Sequence, residues 1–121
     1  MFLRKLIKVY FIFFIYSQVY SASTDKTIGI FDAETAERIR KLKHHELVVN
    51  SISISRVGQE LLASGSDDGL VCIWDLRSKF PIAEFSSEWP VTAVEWNGNG
   101  TGIFSGGIDN IINVCRLFKI I

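Results

Sequence analysis

One segment occurs three times in this chain without a gap, and that repetition limits the fold more than any other feature. It reads SASTDKTIGIFD from Ser21, SGSDDGLVCIWD from Ser64 and SGGIDNIINVCR from Ser105, so the starts are 43 and 41 residues apart. Each copy opens with a serine, carries an aspartate four residues on (Asp25, Asp68, Asp109), and places Phe31, Trp74 or Cys115 six residues further. A period of about 40–45 residues, built from short strands, points to the four-stranded blades of a β-propeller. The expected fold class is all-β, an incomplete propeller with one full blade and a partial blade on each side.

The strands follow from local pattern. Within a blade they run a, b, c, d from the axis outward. Apolar and polar residues largely alternate from Leu47 to Ser55, as a half-buried strand a requires. Gly58 and Gln59 turn the chain into strand b, Glu60 to Ser66. Asp67-Asp68-Gly69 is a tight-turn signal, because glycine tolerates positive φ. Leu70 to Asp75 is strand c, and Pro81 to Phe85 is an outermost strand d, where proline is tolerated. The third copy repeats the order with Val91 to Asn97, Gly102 to Gly107 and Ile111 to Leu117, and ends before a strand d. The first copy is expected to start at strand b and to close with a strand d near Arg38 to Lys43. The expected divisions are residues 21–43, 44–87 and 88–121 as partial, complete and partial blades, preceded by a hydrophobic segment, 1–20.

That leading segment differs from the rest. MFLRKLIK is basic, VYFIFFIY is an unbroken apolar run, and SQVYSAS offers small residues for cleavage. This is the outline of a secretory signal peptide over residues 1–21. The run is too short for a bilayer, which needs about 20 apolar residues. A cut near Ser21 would remove strand residues from the first blade. Three readings stand: a signal peptide, a non-native start on a truncated chain, or a short membrane anchor. In each, residues 1–20 lie outside the propeller sheet, and membrane contact is expected only if the segment is a genuine leader or anchor.

Charge bounds the partners. Arg4, Lys5 and Lys8 stand in the first 20 residues, leaving 10 basic against 13 acidic groups in the body. That balance is poor for generic nucleic-acid binding, which shows an electropositive footprint. Cys72 and Cys115 each fall among apolar residues of strand c, so free buried thiols are expected, and no C-x-x-C or Cys/His cluster marks zinc.

Sharper chemistries meet blander alternatives. His44 and His45 have no cysteine or further histidine near in sequence, and read as structural histidines rather than metal ligands. Asp67 and Asp68 read as turn formers rather than paired catalytic carboxylates. Gly98, Gly100 and Gly102 lack the following helix that a phosphate cradle needs. Arg38, Arg40, Lys41 and Lys43 read as guards of an exposed outer strand rather than contacts to RNA phosphates. Trp89-Pro90 occupies a loop with no evident core role, and two readings stand for it: a partner anchor, as an exposed tryptophan offers, or packing against the next blade. No nucleophile–base pair or metal set appears, so no enzyme, cofactor or small-molecule substrate is expected.

His45 before strand a, Ser64 on strand b, Asp68 in the b–c turn and Trp74 at the end of strand c resemble the structural tetrad of the WD-repeat family. The resemblance implies that the aspartate accepts from the histidine, which links through the serine to the indole N–H. Trp74-Asp75 stands where the family has its Trp-Asp pair; Phe31-Asp32 and Cys115-Arg116 replace it in the flanking copies, and His44 replaces the family's glycine before the histidine. Neither flanking copy holds a full tetrad. The wording over residues 20–117, above all Ser105 to Asn110 and Trp74 to Arg77, is similar to the spliceosomal U5 branch of the family. That likeness implies a nuclear, non-catalytic scaffold in pre-mRNA splicing, with protein partners in the U5 particle and RNA contact at most indirect. Its offered surface would be the d–a and b–c loops of one face: Thr24, Leu47, Asp67, Trp89 and Ile108. The alternatives are a WD-repeat adaptor of another complex, such as ubiquitin-ligase substrate capture, or a secreted protein.

Overall fold

The structure, a computed structural model, describes residues 9–15, 17–55, 57 and 60–116, with side chains described from residue 17 onward. Three antiparallel sheets follow one another. The first is β1 (Val9–Ile15), β2 (Gln18–Ser23), β3 (Thr27–Asp32) and β4 (Arg38–Lys43). The second is β5 (Val49–Ile54), β6 (Leu61–Ser66), β7 (Leu70–Asp75) and β8 (Ala83–Ser86). The third is β9 (Val91–Trp96), β10 (Gly102–Gly107) and β11 (Ile112–Arg116). In each sheet the strands pair in chain order, and among the described residues there is no helix. The chain is an open, partial propeller, with β5 lying beside β1 on one side and β9 on the other.

Two expectations require correction. Residues 1–20 do not all lie outside the sheet, because β1 pairs with β2, from Phe11 opposite Ala22 to Ile15 opposite Gln18. The first blade therefore has four strands, and two sheets rather than one are complete. The physical reason is that a short apolar run has no period: an eight-residue run serves a leader's core and a covered strand equally well. The expected turn at Gly58 and Gln59 and the end of the last strand at Leu117 lie outside the described residues.

The repeat is legible in the turns. After each strand b an aspartate accepts a backbone N–H two residues on: Thr27 to Asp25 (3.0 Å), Leu70 to Asp68 (2.9 Å) and Ile111 to Asp109 (3.2 Å). Such an Asx turn replaces a backbone turn with a side chain. The residue between them is left-handed each time: Lys26 at φ 74°, Gly69 at 83° and Asn110 at 62°.

Two apolar layers bind the sheets. Tyr20, Ala22, Ile28, Ile30 and Leu42 of the first sheet meet Val49, Ile52, Leu62 and Trp74 of the second. Ala63, Val71 and Ile73 of the second meet Val91, Val94 and Ile103 of the third. Buried apolar area is the main stabilising term, about 25 cal/mol per Å2. Strand β5 is not half-buried as its alternation suggested. Ser51 and Ser53 are buried too, and their hydroxyls accept the backbone N–H groups of Val94 (3.2 Å) and Trp96 (3.3 Å). The polar face of the strand is thus turned to the next blade rather than to water.

Candidate functional site

The middle blade holds a buried polar chain. Ser64 and Trp74 are inaccessible to solvent and His45 is nearly so. Strand pairing sets Leu62 opposite Trp74 and Ser64 opposite Cys72, so the Trp74 indole lies across the sheet toward the serine. Its Nε1–H donates to Ser64 Oγ at 2.8 Å. Ser64 Oγ is also 2.7 Å from His45 Nε2, and His45 Nδ1 is 3.0 Å from Asp68 Oδ2. The donors fix the protons. The Asp68 carboxylate only accepts, so His45 donates to it from Nδ1–H; burial favours the neutral ring, so Nε2 accepts the Ser64 hydroxyl hydrogen while Ser64 Oγ accepts from the indole. The imidazole in this chain is neutral.

Electrostatics agrees. Burial holds the His45 imidazole below its ordinary pKa, against the upward pull of Asp68. For Asp68, burial pushes upward, but N–H groups of Leu70 and Glu46 and the His45 contact outweigh it, so the carboxyl sits below its usual range. The Glu46 N–H to Asp68 Oδ2 distance is 3.0 Å, so the same carboxylate ties the β4–β5 loop to the β6–β7 turn. Both nitrogens of His45 are engaged in holding loops to the sheet.

Across the first sheet, Phe31 takes the place of the tryptophan and lies over Gly29 beside Ser21. In the third, Cys115 takes it and shares a hydrogen bond with Ser105, while burial pushes its thiol pKa up. A cavity of about 290 Å3 opens where the indole is missing, between Phe85, Trp89, Ser105 and Cys115. Both cysteines are free and buried.

The loops above the network gather on one edge. Leu47, Trp89 and Ile108 are exposed, at 47%, 50% and 61%. The Asp67 N–H donates to the carbonyl of Val48 (3.0 Å), next to Leu47. Asn50 donates to the Asp67 carboxylate (2.7 Å) and to the Val91 carbonyl (2.9 Å), joining two blades. The Ser87 N–H donates to the Gly69 carbonyl (2.8 Å), which sets the loop bearing Trp89 against the β6–β7 turn. Gly107, before Ile108, lies against the Pro90 carbonyl so closely that a Cβ there would stand 2.2 Å from the oxygen. Leu47, Asp67, Trp89 and Ile108 thus share one edge, and Thr24 occupies the corresponding turn of the first sheet.

Some residues escaped the sequence reading. Arg40, grouped with the edge guards, reaches from the first sheet to the second, where its guanidinium donates to the carbonyls of Leu76 and Ser78. No local pattern distinguishes it from exposed Arg38, Lys41 and Lys43. Asn50, Ser51 and Ser53 act between blades as well; the Ser-Ile alternation was visible, but not the partner strand.

The family profile described as WD domain, G-beta repeat, matches residues 36–75 and 80–115. The chain belongs to the WD-repeat family. It is 42% identical over 98 residues to the "U5 small nuclear ribonucleoprotein 40 kDa protein" of Dictyostelium discoideum, covering 81% of this chain and 28% of that one. It is 43% identical over 99 residues to the "Pre-mRNA-splicing factor cwf17" of Schizosaccharomyces pombe, covering 82% and 29%. The chain therefore spans less than a third of the length of these relatives. Among solved structures, the β-propeller domain of Cps50 (Swd1) from Myceliophteria thermophila superposes with a TM-score of 0.82 at 24% identity, over 93% of this chain and 37% of that one. That likeness concerns the fold alone.

Proposed function

We propose that this chain is a non-catalytic protein-interaction scaffold of the spliceosomal U5 particle, acting in the nucleus in pre-mRNA splicing. The carrying observation is the likeness, over about four-fifths of the chain, to relatives that bear a U5 particle name and a splicing-factor name. The reading as an adaptor for ubiquitin-ligase substrate capture draws less support, because those relatives are named for splicing.

The mechanism is rigid presentation. The His45–Ser64–Trp74 chain and the Asp68 carboxylate hold the loops to the sheet, so Thr24, Leu47, Asp67, Trp89 and Ile108 meet a partner with little ordering left to do. Trp89 is the anchor, since large aromatics dominate protein interfaces. The acidic balance of the body after residue 20 disfavours direct RNA contact. The test is capture from nuclear extract with the full chain, with and without nuclease and across a salt series. U5 proteins retained after nuclease support the reading. Recovery that vanishes with nuclease, or no U5 component at all, overturns it.

A further inference from the structure

We propose that His44, Cys72 and Glu84 form a binding site for a zinc-class transition-metal ion at the outer edge of the middle blade. Strand register brings two of them together. Cys72 of β7 pairs directly with Glu84 of β8, so both side chains project from the same face of the sheet. His44, at the start of the β4–β5 loop, closes over them. Its Nε2 stands 3.5 Å from Glu84 Oε1, and its ring meets the Trp74 ring edge-on, with centroids 6.1 Å apart. One ligand atom from each of the three residues lies within 4.8 Å of the other two.

The chemistry of the set selects the metal. Thiolate, imidazole and carboxylate together suit zinc and its neighbours, whereas calcium and magnesium prefer oxygen alone. Zinc bonds of about 2.0–2.3 Å require ligand atoms to close by roughly an ångström. The two surface side chains can make that movement, since His44 and Glu84 are 31% and 46% exposed, while Cys72 is held on an inner strand. Three protein ligands leave a fourth position for water on the open side. On binding, the Cys72 thiol gives its proton to solvent. The trio is not part of the repeated framework: Gly29 and Asn113 stand at the positions that correspond to Cys72. The Asp68 carboxylate, by contrast, is already engaged by His45.

The experiment titrates the full chain with cobalt(II) and follows thiolate-to-cobalt charge-transfer absorption in the near ultraviolet. The expected result is one cobalt per chain, displaced by zinc. The band should vanish in Cys72→Ser and persist in Cys115→Ser. His44→Ala and Glu84→Gln should each weaken binding by about tenfold or more, since even outer-shell changes cost that much. If Cys72→Ser fails to fold, the two surface variants carry the test. No charge-transfer band, a band lost with Cys115→Ser instead, or affinity unchanged in both surface variants would overturn the proposal.

Discussion

Ser64 Oγ lies 2.7 Å from His45 Nε2, and this contact joins the two halves of the buried network. Strand β6 supplies the hydroxyl and the β4–β5 loop supplies the ring. Trp74→Phe removes the indole donor and leaves the serine under-satisfied in an inaccessible position. Asp68→Ala does more, orphaning the buried His45 Nδ1–H and also freeing the more accessible N–H groups of Glu46 and Leu70, which loosens the loop and the turn. Each orphaned buried group costs on the order of 1–3 kcal/mol. Thermal melting followed by circular dichroism should place Asp68→Ala below Trp74→Phe, and both below the parent. Equal melting temperatures in all three would contradict the network.

Acid should unfold the domain through the same residues. The depressed Asp68 pKa contributes stability that is full above the ordinary carboxylate range and is lost as pH falls through the folded value. The depressed His45 pKa acts in the same direction. The unfolded imidazole takes up a proton below about 6.5, before the folded one does, so stability declines from there. The gap in melting temperature between the parent and Asp68→Asn should therefore hold down to about pH 4 and shrink below it, as Asp68 takes up its proton. A constant gap would separate Asp68 from the acid response.

Backbone geometry gives opposite effects at two equivalent sites. Gly69 has φ 83°, and a Cβ there would meet the Ser87 carbonyl oxygen at 2.5 Å. Gly69→Ala should destabilise by about 1–3 kcal/mol. Lys26 holds the corresponding position at φ 74°, so Lys26→Gly should stabilise by about 0.5–1 kcal/mol. Chemical denaturation of the two variants measures both signs.

Removing residues 1–16 strips β1 from β2 and bares a ladder of backbone groups from Gln18 to Ser23. Unpaired strand edges associate with other chains. The shortened chain should melt lower and sediment as larger species than the parent. Unchanged melting and sedimentation would remove β1 from the fold.

Strands b and c were legible because Ser21, Ser64 and Ser105 start the same pattern, and because Asp25, Asp68 and Asp109 turn the chain by one local hydrogen bond. The His45–Ser64–Asp68–Trp74 grouping was open to the eye through family likeness, since its members are spread over two strands, a loop and a turn. Strand β1 was not, because Val9 to Ile15 is apolar without alternation. Arg40 was hidden because its acceptors are carbonyls of Leu76 and Ser78, which no side-chain pattern announces. His44 lay beyond reach for a related reason: Cys72 and Glu84 become its neighbours only through the register of β7 and β8.

Side-by-side capture of U5 proteins from nuclease-treated nuclear extract, using the parent chain, Trp89→Ala and Ile39→Ala, is the most direct test of presentation by the loop edge. Trp89 and Ile39 are similarly exposed, at 50% and 53%, but Ile39 lies on β4, away from the loops. Truncating an interface anchor costs about 2 kcal/mol or more. Trp89→Ala should lose most of the recovered U5 protein while melting like the parent, and Ile39→Ala should recover as much as the parent. Equal recovery by all three chains, or equal loss in both variants, would contradict presentation by this edge.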